Sequence, residues 1–258
     1  MYESILLRHD HAVSTIAINR PPLNTVTPAA LAELLAAFDE LEHRAETCCV
    51  VLTGSGPRAF CAGASLDDKP RQKSDGDGFR ETGRALIRRI ETFPKPVIAA
   101  IRGWAIGGGF AIAQACDVRI ASETAKFRTG DAYIGIVPSW GVSLVRLVHY
   151  IGRNRALDML MLGEDIPAAR AYELGLITRC VPDDRFDAEV ASAAARLSSG
   201  APLVLRSIKE AVFAQYYEGP PIAAQVETRW ADATQFSHDA REGIAAFKER
   251  RKPLFKGQ

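Results

Sequence analysis

The sequence has few of the features that mark membrane, secreted or metal-binding proteins. None of its apolar runs is long enough to span a bilayer. The start of the chain lacks the basic segment and the long apolar core of a secretory signal. Its cysteines, at positions 48, 49, 61, 116 and 180, are odd in number and have no metal-ligand spacing, and its histidines are scattered. We therefore expect a cytoplasmic protein with reduced thiols, no metal site and no membrane contact.

An excess of charge of either sign is also missing. The 258 residues include 32 Lys and Arg against 31 Asp and Glu, which gives a net charge of +1. A general attraction to nucleic acid is therefore not expected. Low-complexity tracts and short repeats are absent as well. Hydrophobic residues make up 47% of the chain, which is enough for one substantial core.

Hydrophobic patterning predicts alternating strands and helices over the first 180 residues. Residues 4–8 and 12–18 are expected to form paired strands, and Thr27 before Pro28 marks a helix start. Further strands are predicted at residues 48–53, 97–101, 118–121 and 176–181, with a loop over 54–66 and a polar segment over 67–78. Later helices are predicted over residues 143–150, 153–162, 167–174, 185–198, 201–215 and 221–250.

This order of elements indicates an α/β fold in two parts. Residues 1–185 are expected to form the α/β core, and residues 186–258 a C-terminal helical region. A helical region that cannot bury all of its apolar faces alone packs on a partner subunit or back on its own core. The patterning leaves both arrangements open.

Three consecutive glycines, Gly107, Gly108 and Gly109, are the most informative local feature. They follow the apolar run 97–101 and precede a run that is patterned as a helix, residues 110–116. A helix start carries unpaired N–H groups and partial positive charge, so this one is suited to an anion or to a carbonyl oxygen that becomes one. Close packing of strand and helix selects glycine equally well.

Several longer motifs accompany the glycines in a fixed order. The first are Ile18-Asn19-Arg20-Pro21 with Leu23-Asn24, Val51-Leu52-Thr53-Gly54 and Ala59-Phe60-Cys61-Ala62-Gly63-Ala64. Next are Lys95-Pro96-Val97-Ile98-Ala99-Ala100, Gly103-Trp104-Ala105-Ile106 before the glycines, Cys116-Asp117, Phe127 and Gly135-Ile136-Val137-Pro138. The last are Leu162-Gly163, Ala171-Tyr172-Glu173-Leu174-Gly175-Leu176-Ile177 and Arg241-Glu242-Gly243 with Ala246-Phe247. In order and spacing this set resembles the crotonase, or enoyl-CoA hydratase/isomerase, superfamily.

The resemblance implies a fold, a substrate and an assembly. The fold is a crotonase-like spiral of ββα units with a C-terminal helical trimerisation region, so a homotrimer or a dimer of trimers is expected. The substrate class is an acyl-CoA thioester, with coenzyme A as part of the substrate and no separate cofactor. Members of the family hold the thioester oxygen in an oxyanion hole of two backbone N–H groups. By position these belong to Ala64 and Gly108.

The acid–base groups depart from the pattern of the family's hydratases, which use two glutamates. One of the two positions is Ala111, which cannot transfer a proton, and the other is Asp131, which is one methylene shorter than glutamate. The resemblance therefore implies catalysis by Asp131 alone, as in the simple enoyl-CoA isomerases of the family. Without the family resemblance, Asp131 would be interpreted as a surface or capping residue in a loop rather than as a catalytic one. Ser139 stands where dehalogenase-like and dienoyl isomerase-like members have an aspartate, which argues against those two reactions.

The remaining site residues that the resemblance implies are contacts with the substrate. The residues assigned to substrate binding are Leu23, Ala62, Leu66, Gly107, Gly109, Ala111, Tyr133, Ser139, Trp140 and Phe247.

Three hypotheses about the activity stay open. The favoured hypothesis is double-bond isomerisation or a hydratase-type reaction with one carboxylate. The alternatives are a decarboxylase or hydratase–lyase acting on an aryl or branched acyl-CoA, and a catalytically weak acyl-CoA-binding member of the family.

Overall fold

The computed structural model describes residues 2–67, 73–137, 140 and 143–258. Two sheets form its centre. The larger has the strand order β1-β2-β3-β5-β7-β10 and the smaller β4-β6-β8-β9. The strands are β1 Ile5–Asp10, β2 Val13–Ile18, β3 Cys49–Gly54, β4 Ala59–Cys61, β5 Val97–Ile101, β6 Trp104–Ile106, β7 Val118–Ser122, β8 Lys126–Arg128, β9 Ile166–Pro167 and β10 Arg179–Val181.

Helices follow the strands in a repeating pattern. They are α1 Pro28–His43, α2 Lys73–Thr92, α3 Gly108–Ala115, α4 Ser143–Ile151, α5 Arg153–Leu162, α6 Ala168–Glu173, α7 Phe186–Ser198, α8 Pro202–Tyr217, α9 Pro220–Thr234 and α10 His238–Glu249. A short 3₁₀ helix spans Gly130–Ile134.

The chain alternates between the sheets, because β3, β5 and β7 lie in the larger sheet and the strand after each lies in the smaller one. Helix α2 follows the first pair of strands and α3 the second. All pairings are parallel except β1 with β2 and β8 with β9. This arrangement confirms the expected spiral of ββα units.

The core lies on both faces of the larger sheet. In β5, Val97, Ala99 and Ile101 pack into the main core between the sheet and helices α1 to α3. Ile98 and Ala100 point to the other face, which α7 covers. Successive residues of a strand face opposite sides, so an entirely apolar strand is the sequence expected for a sheet buried on both faces.

The local signals at helix starts are confirmed where the chain has strong capping residues. The Thr27 side chain accepts a hydrogen bond of 3.2 Å from the N–H of Ala30, and Pro28 begins α1. The predicted helix over 221–250 is two helices, because Ser237 caps α10 through a 3.0 Å hydrogen bond from the N–H of Ala240. The predicted polar segment 67–78 also differs, since α2 begins at Lys73.

The last four helices lie within residues 186–249, and α8 is held against the core of its own chain. The Lys209 ammonium lies 2.8 Å from an oxygen of Asp117 and donates to the carbonyl of Ile90. The Tyr217 hydroxyl lies 2.6 Å from the carboxylate of Glu91. The division of the chain at residue 185 stays a prediction. In the described part of the chain, no helix has both the length and the apolar character needed to cross a membrane.

Candidate active site

A cavity of about 940 Å³ lies between the loop after β4, helices α2 and α3, and the 3₁₀ helix. It brings together most of the residues that the sequence assigned to the site: Leu23, Ala62, Ala64, Leu66, Gly107, Gly108, Ala111, Asp131, Tyr133 and Trp140. Segments that are far apart in the sequence therefore meet around one space. Such a cavity, mostly apolar with a few convergent polar groups, is the usual form of a small-molecule site.

Three of the expected substrate contacts are not placed in this cavity. Gly109 faces away from it, and Phe247 lies on α10 with 86% of its surface exposed. Ser139 lies outside the described residues. The assignment of these three residues to substrate binding stays a prediction.

Each of the three glycines has its own structural reason. Gly107 has φ of +50°, a conformation that favours glycine. A Cβ atom on Gly108 would overlap the indole of Trp140, with the Cη2 atom 2.7 Å away. A Cβ atom on Gly109 would overlap the carbonyl of Cys61, so this glycine lets α3 pack directly on β4. The close-packing reading of the triplet therefore holds for Gly109, while Gly107 and Gly108 line the cavity.

Two backbone N–H groups are available at the cavity. The N–H of Val26 donates to Gly63 and the N–H of Ser65 donates to Val26, a pairing that turns the N–H of Ala64 away from Val26. Gly108 is the first residue of α3, where N–H groups have no partner within the helix. Among the described residues, neither N–H has a protein acceptor.

These two N–H groups lie close together because Gly63 approaches the start of α3. A Cβ atom on Gly63 would lie 3.3 Å from the nitrogen of Gly108 and 2.9 Å from the carbonyl oxygen of Ile106. Gly63 has φ of +85°, which also favours glycine. The chain therefore brings Ala64, the next residue, to the N-terminal end of α3, whose partial positive charge adds to both donors.

Asp131 brings a carboxylate to the same corner. Its two side-chain oxygens lie 3.6 and 3.8 Å from the position of a Cβ atom on Gly107. The segment is fixed on both sides, since Thr129 donates to the carbonyl of Met159 and the carbonyl of Asp131 accepts from Ile136. The shorter side chain of aspartate therefore reaches the glycine corner.

The carboxylate of Asp131 is poorly solvated. Its Oδ2 atom is buried and has no hydrogen-bond partner in the described part of the chain. Burial raises the pKa of the carboxyl, and a hydrogen bond from its own backbone N–H offsets this only in part. A carboxylate that is desolvated in a cavity, with a free oxygen and a raised pKa, has the properties of a proton-transfer group.

An apolar surface surrounds this polar corner. Ala111 lies one turn after Gly108 on α3 and lines the cavity with its methyl group. Trp140 is buried, at 7% exposure, and packs edge-on against Phe79 with ring centroids 5.8 Å apart. Two acidic residues among those described line the cavity, but Asp67 is exposed, and Asp131 is the one at the glycine corner.

Some residues of the site were not predicted from the sequence. Phe79 and Arg80 of α2 line the cavity, and Gly83 supports the indole of Trp140 from behind. Phe79 and Gly83 are four residues apart on one helix and therefore lie on the same face. This spacing is the sequence signal that could have indicated their shared role. Their partner, Trp140, comes far later in the chain, so no local pattern connects them.

Comparison with known proteins places the chain in a family. The profile of the enoyl-CoA hydratase/isomerase family matches residues 8–258. A probable enoyl-CoA hydratase of Bacillus subtilis is 37% identical over 261 residues, which cover 99% of each chain. A short-chain-enoyl-CoA hydratase of Clostridium acetobutylicum is 31% identical over 96% of each chain.

Solved structures agree with this placement. The crystal structure of an enoyl-CoA hydratase from Bacillus anthracis superposes with a TM-score of 0.95 at 32% identity, covering 99% of this chain and 100% of that one. A second structure, from Geobacillus kaustophilus, gives a TM-score of 0.91 at 34% identity over 100% of this chain and 99% of that one. The crotonase-like α/β fold is therefore confirmed, and the chain belongs to the enoyl-CoA hydratase/isomerase family of enzymes.

Proposed function

We propose that the protein isomerises the double bond of an enoyl-CoA through a thioester enolate, with Asp131 as its single proton-transfer group. The observation that carries this proposal is one desolvated carboxylate at the corner where two free N–H groups meet. Ala111 supplies no second acid there. A double-bond shift needs one base that removes a proton and returns it elsewhere, whereas water addition needs a further group to orient the water.

The proposed reaction is balanced within the substrate. The carboxylate of Asp131 removes a proton from C2 of a 3-enoyl-CoA, and the electron pair moves onto the thioester oxygen to give a dienolate. The same carboxyl group, now protonated, returns the proton to C4 as the double bond forms between C2 and C3. No atom is gained or lost, and no cofactor is required beyond the coenzyme A of the substrate.

The N–H groups of Ala64 and Gly108 are the proposed oxyanion hole. Each donor aimed at the oxygen where charge develops contributes about 3 kcal/mol to lowering the barrier in comparable sites. Support comes from their missing protein acceptors and from the close approach of Gly63 to the start of α3. The raised pKa of Asp131 adds to this, because a base with a pKa nearer the working pH transfers protons more effectively.

Hydration of a 2-enoyl-CoA is the second candidate, since curated relatives carry the name enoyl-CoA hydratase. A direct assay separates the two reactions. The enzyme is incubated with a 3-enoyl-CoA and, separately, with a 2-enoyl-CoA, and the products are identified by mass spectrometry. We expect isomerisation in the wild type and an increase in hydration in Ala111→Glu. A wild-type enzyme that hydrates the 2-enoyl-CoA and leaves the 3-enoyl-CoA unchanged would contradict the proposal.

We also propose that the enzyme assembles into trimers and is located in the cytoplasm. A homotrimer, or a dimer of such trimers, is supported by large apolar side chains that α8 and α10 leave exposed, including Ile208, Val212 and Ile244. A cytoplasmic location is supported by the family of the chain and by its free cysteines, of which Cys49, Cys61 and Cys116 are buried.

A further inference from the structure

The indole of Trp140 is held between two helices by two glycines. A Cβ atom on Gly108 would lie 2.7 Å from its Cη2 atom, and a Cβ atom on Gly83 of α2 would lie 2.6 Å from its Cδ2 atom. Both distances are shorter than real Cβ contacts. The two glycines therefore leave space that the indole fills, and Phe79 packs edge-on against the same ring. A ring with backbone on two sides is a rigid wall.

This wall stands next to the proposed position of the thioester. The indole lies on the Cα of Gly108, whose N–H is a proposed donor to the thioester oxygen, and it lines the same cavity as Asp131. A thioester bound at that N–H has its first acyl carbons within a few ångströms of the ring. The cavity wall also includes Ile134, Ile136, Val137 and Leu162, which are exposed and apolar.

We infer that Trp140 is a specificity-determining residue that restricts the substrate to acyl groups unbranched at the carbons next to the thioester. The inference rests on the proposed function for the position of the thioester. Straight chains pass along the indole toward the apolar wall, and a branch or ring at the first carbons collides with it. The acyl group is therefore a straight-chain one, and aryl and branched acyl-CoA thioesters are poor ligands.

Binding of saturated thioesters tests this inference separately from the chemistry, because it requires no proton transfer. Isothermal titration gives the Kd of butanoyl-CoA and of cyclohexanecarboxyl-CoA, and the ratio of the two measures selectivity. In Trp140→Ala we expect the affinity for the bulky thioester, relative to butanoyl-CoA, to rise about tenfold or more, since even one methylene group in an apolar pocket has an effect of that size. Trp140→Phe, which keeps a packed ring, is expected to shift the ratio less and in the same direction.

A pair of variants on α2 tests the role of Gly83. Gly83→Ala puts a methyl group against the indole and, because Gly108 blocks the other side, moves the ring toward the cavity. Gly78→Ala lies on the same helix with no atom within 4 Å of its new methyl group, so it is the matched control. We expect Gly83→Ala to lower the relative affinity for the bulky thioester at least threefold and Gly78→Ala to leave it unchanged.

Two outcomes would show that Trp140 does not determine specificity. A ratio that changes less than threefold in Trp140→Ala, with circular dichroism showing a folded protein, overturns the role of Trp140. If that variant does not fold, an unchanged ratio in Trp140→Phe and in Gly83→Ala overturns it. A negative isomerase assay does not change these binding ratios, so failure of the proposed function and failure of this inference can be distinguished.

Discussion

At the scale of single residues, the site depends on small differences between neighbours. Gly107, Gly108 and Gly109 are identical in sequence, yet one has a positive φ, one supports an indole and one packs on a strand. Asp131 differs from the glutamate of the family's hydratases by one methylene, and it still places its oxygens against Gly107. Conformation and neighbours, rather than residue type alone, determine what each position does.

The raised pKa of Asp131 predicts a stability cost for the active site. A carboxyl with a folded-state pKa above its unfolded value binds its proton more tightly in the folded protein. The carboxyl therefore makes its full contribution to stability below its pKa in the unfolded chain, which is near 4. This contribution is lost as the pH rises through its pKa in the folded protein. At pH 7 the buried charge destabilises the protein. We expect Asp131→Asn to raise the melting temperature at pH 7, by a few degrees at most.

The pH dependence of the difference in melting temperature between the two proteins serves as an internal control. The gain in melting temperature of Asp131→Asn is expected to shrink as the pH falls and to disappear below pH 4, where the wild-type carboxyl is neutral. Thermal unfolding of both proteins between pH 3 and pH 8 measures it. A wild type that is more stable than the variant at pH 7 would show that the ionised carboxylate is stabilised by its surroundings.

At the scale of secondary structure, the strands that carry the site were the hardest to predict. The longer strands β3, β5 and β7 follow from patterning, and so do most of the helices. Strands β4, β6 and β8 have three residues each, which is too short for any periodicity. They form because distant segments pair with each other. The loops that present the two N–H groups follow β4 and β6, so the details of the site depend on the elements with the weakest local signal.

The candidate site was predictable only where its residues have a local sequence signal. Glycines before a helix, and one acid at the position that the family resemblance assigns to catalysis, are visible in the sequence, and both lie at the polar corner of the cavity. The contact between Gly83 and Trp140 is not visible, because it depends on how α2 lies over α3. A glycine in the middle of a helix has no local explanation, and its reason is a ring contributed by a remote segment.

The proposed oxyanion hole predicts the effect of a substitution in the loop after β4. Ala64→Pro removes an N–H that has no described acceptor in the protein, so the loss falls on the substrate. Gly108→Pro is less informative, because a ring there would also collide with Trp140. Removal of one such donor typically lowers kcat by 100- to 1,000-fold, and we expect a loss of about that size.

Ala64→Gly is the matched control for this loop, since it keeps the N–H and loses one methyl group. Its turnover is expected to stay within tenfold of the wild type. Steady-state kinetics of the three proteins, with thermal unfolding to establish folding, measure the difference. Equal turnover in Ala64→Pro and Ala64→Gly would mean that the N–H of Ala64 does not bind the thioester oxygen.

For the molecule as a whole, the question is whether the C-terminal helices pack on their own core, form an interface with another subunit, or do both. Helix α8 is attached to its own core through Lys209 and Asp117, which supports folding within one chain. Exposed apolar side chains on the same helix, such as Ile208 and Val212, support an interface with another subunit. The sequence left these readings open, because helical patterning gives the apolar face and not its partner.

Deletion of residues 221–258 tests the proposed trimer. The truncation removes α9 and α10 and leaves α8 with its core contacts. We expect the full chain to sediment as a trimer or a dimer of trimers, and the truncated chain to be monomeric or insoluble. Analytical ultracentrifugation measures both. A full chain that sediments as a monomer, or a truncated chain that is folded and still forms trimers, would contradict the proposed trimer.

The central claim is that Asp131 moves the proton, and the most direct measurement is exchange at C2 of a bound acyl-CoA in deuterated water. Butanoyl-CoA is incubated with wild type or Asp131→Asn, and deuterium uptake is followed by mass spectrometry. A general base contributes about 100- to 10,000-fold, so we expect exchange in the wild type and a loss of at least about 100-fold in the variant, with little change in Kd for the thioester. Equal exchange in both proteins would mean that Asp131 is not the base and would assign the proton transfer to another residue.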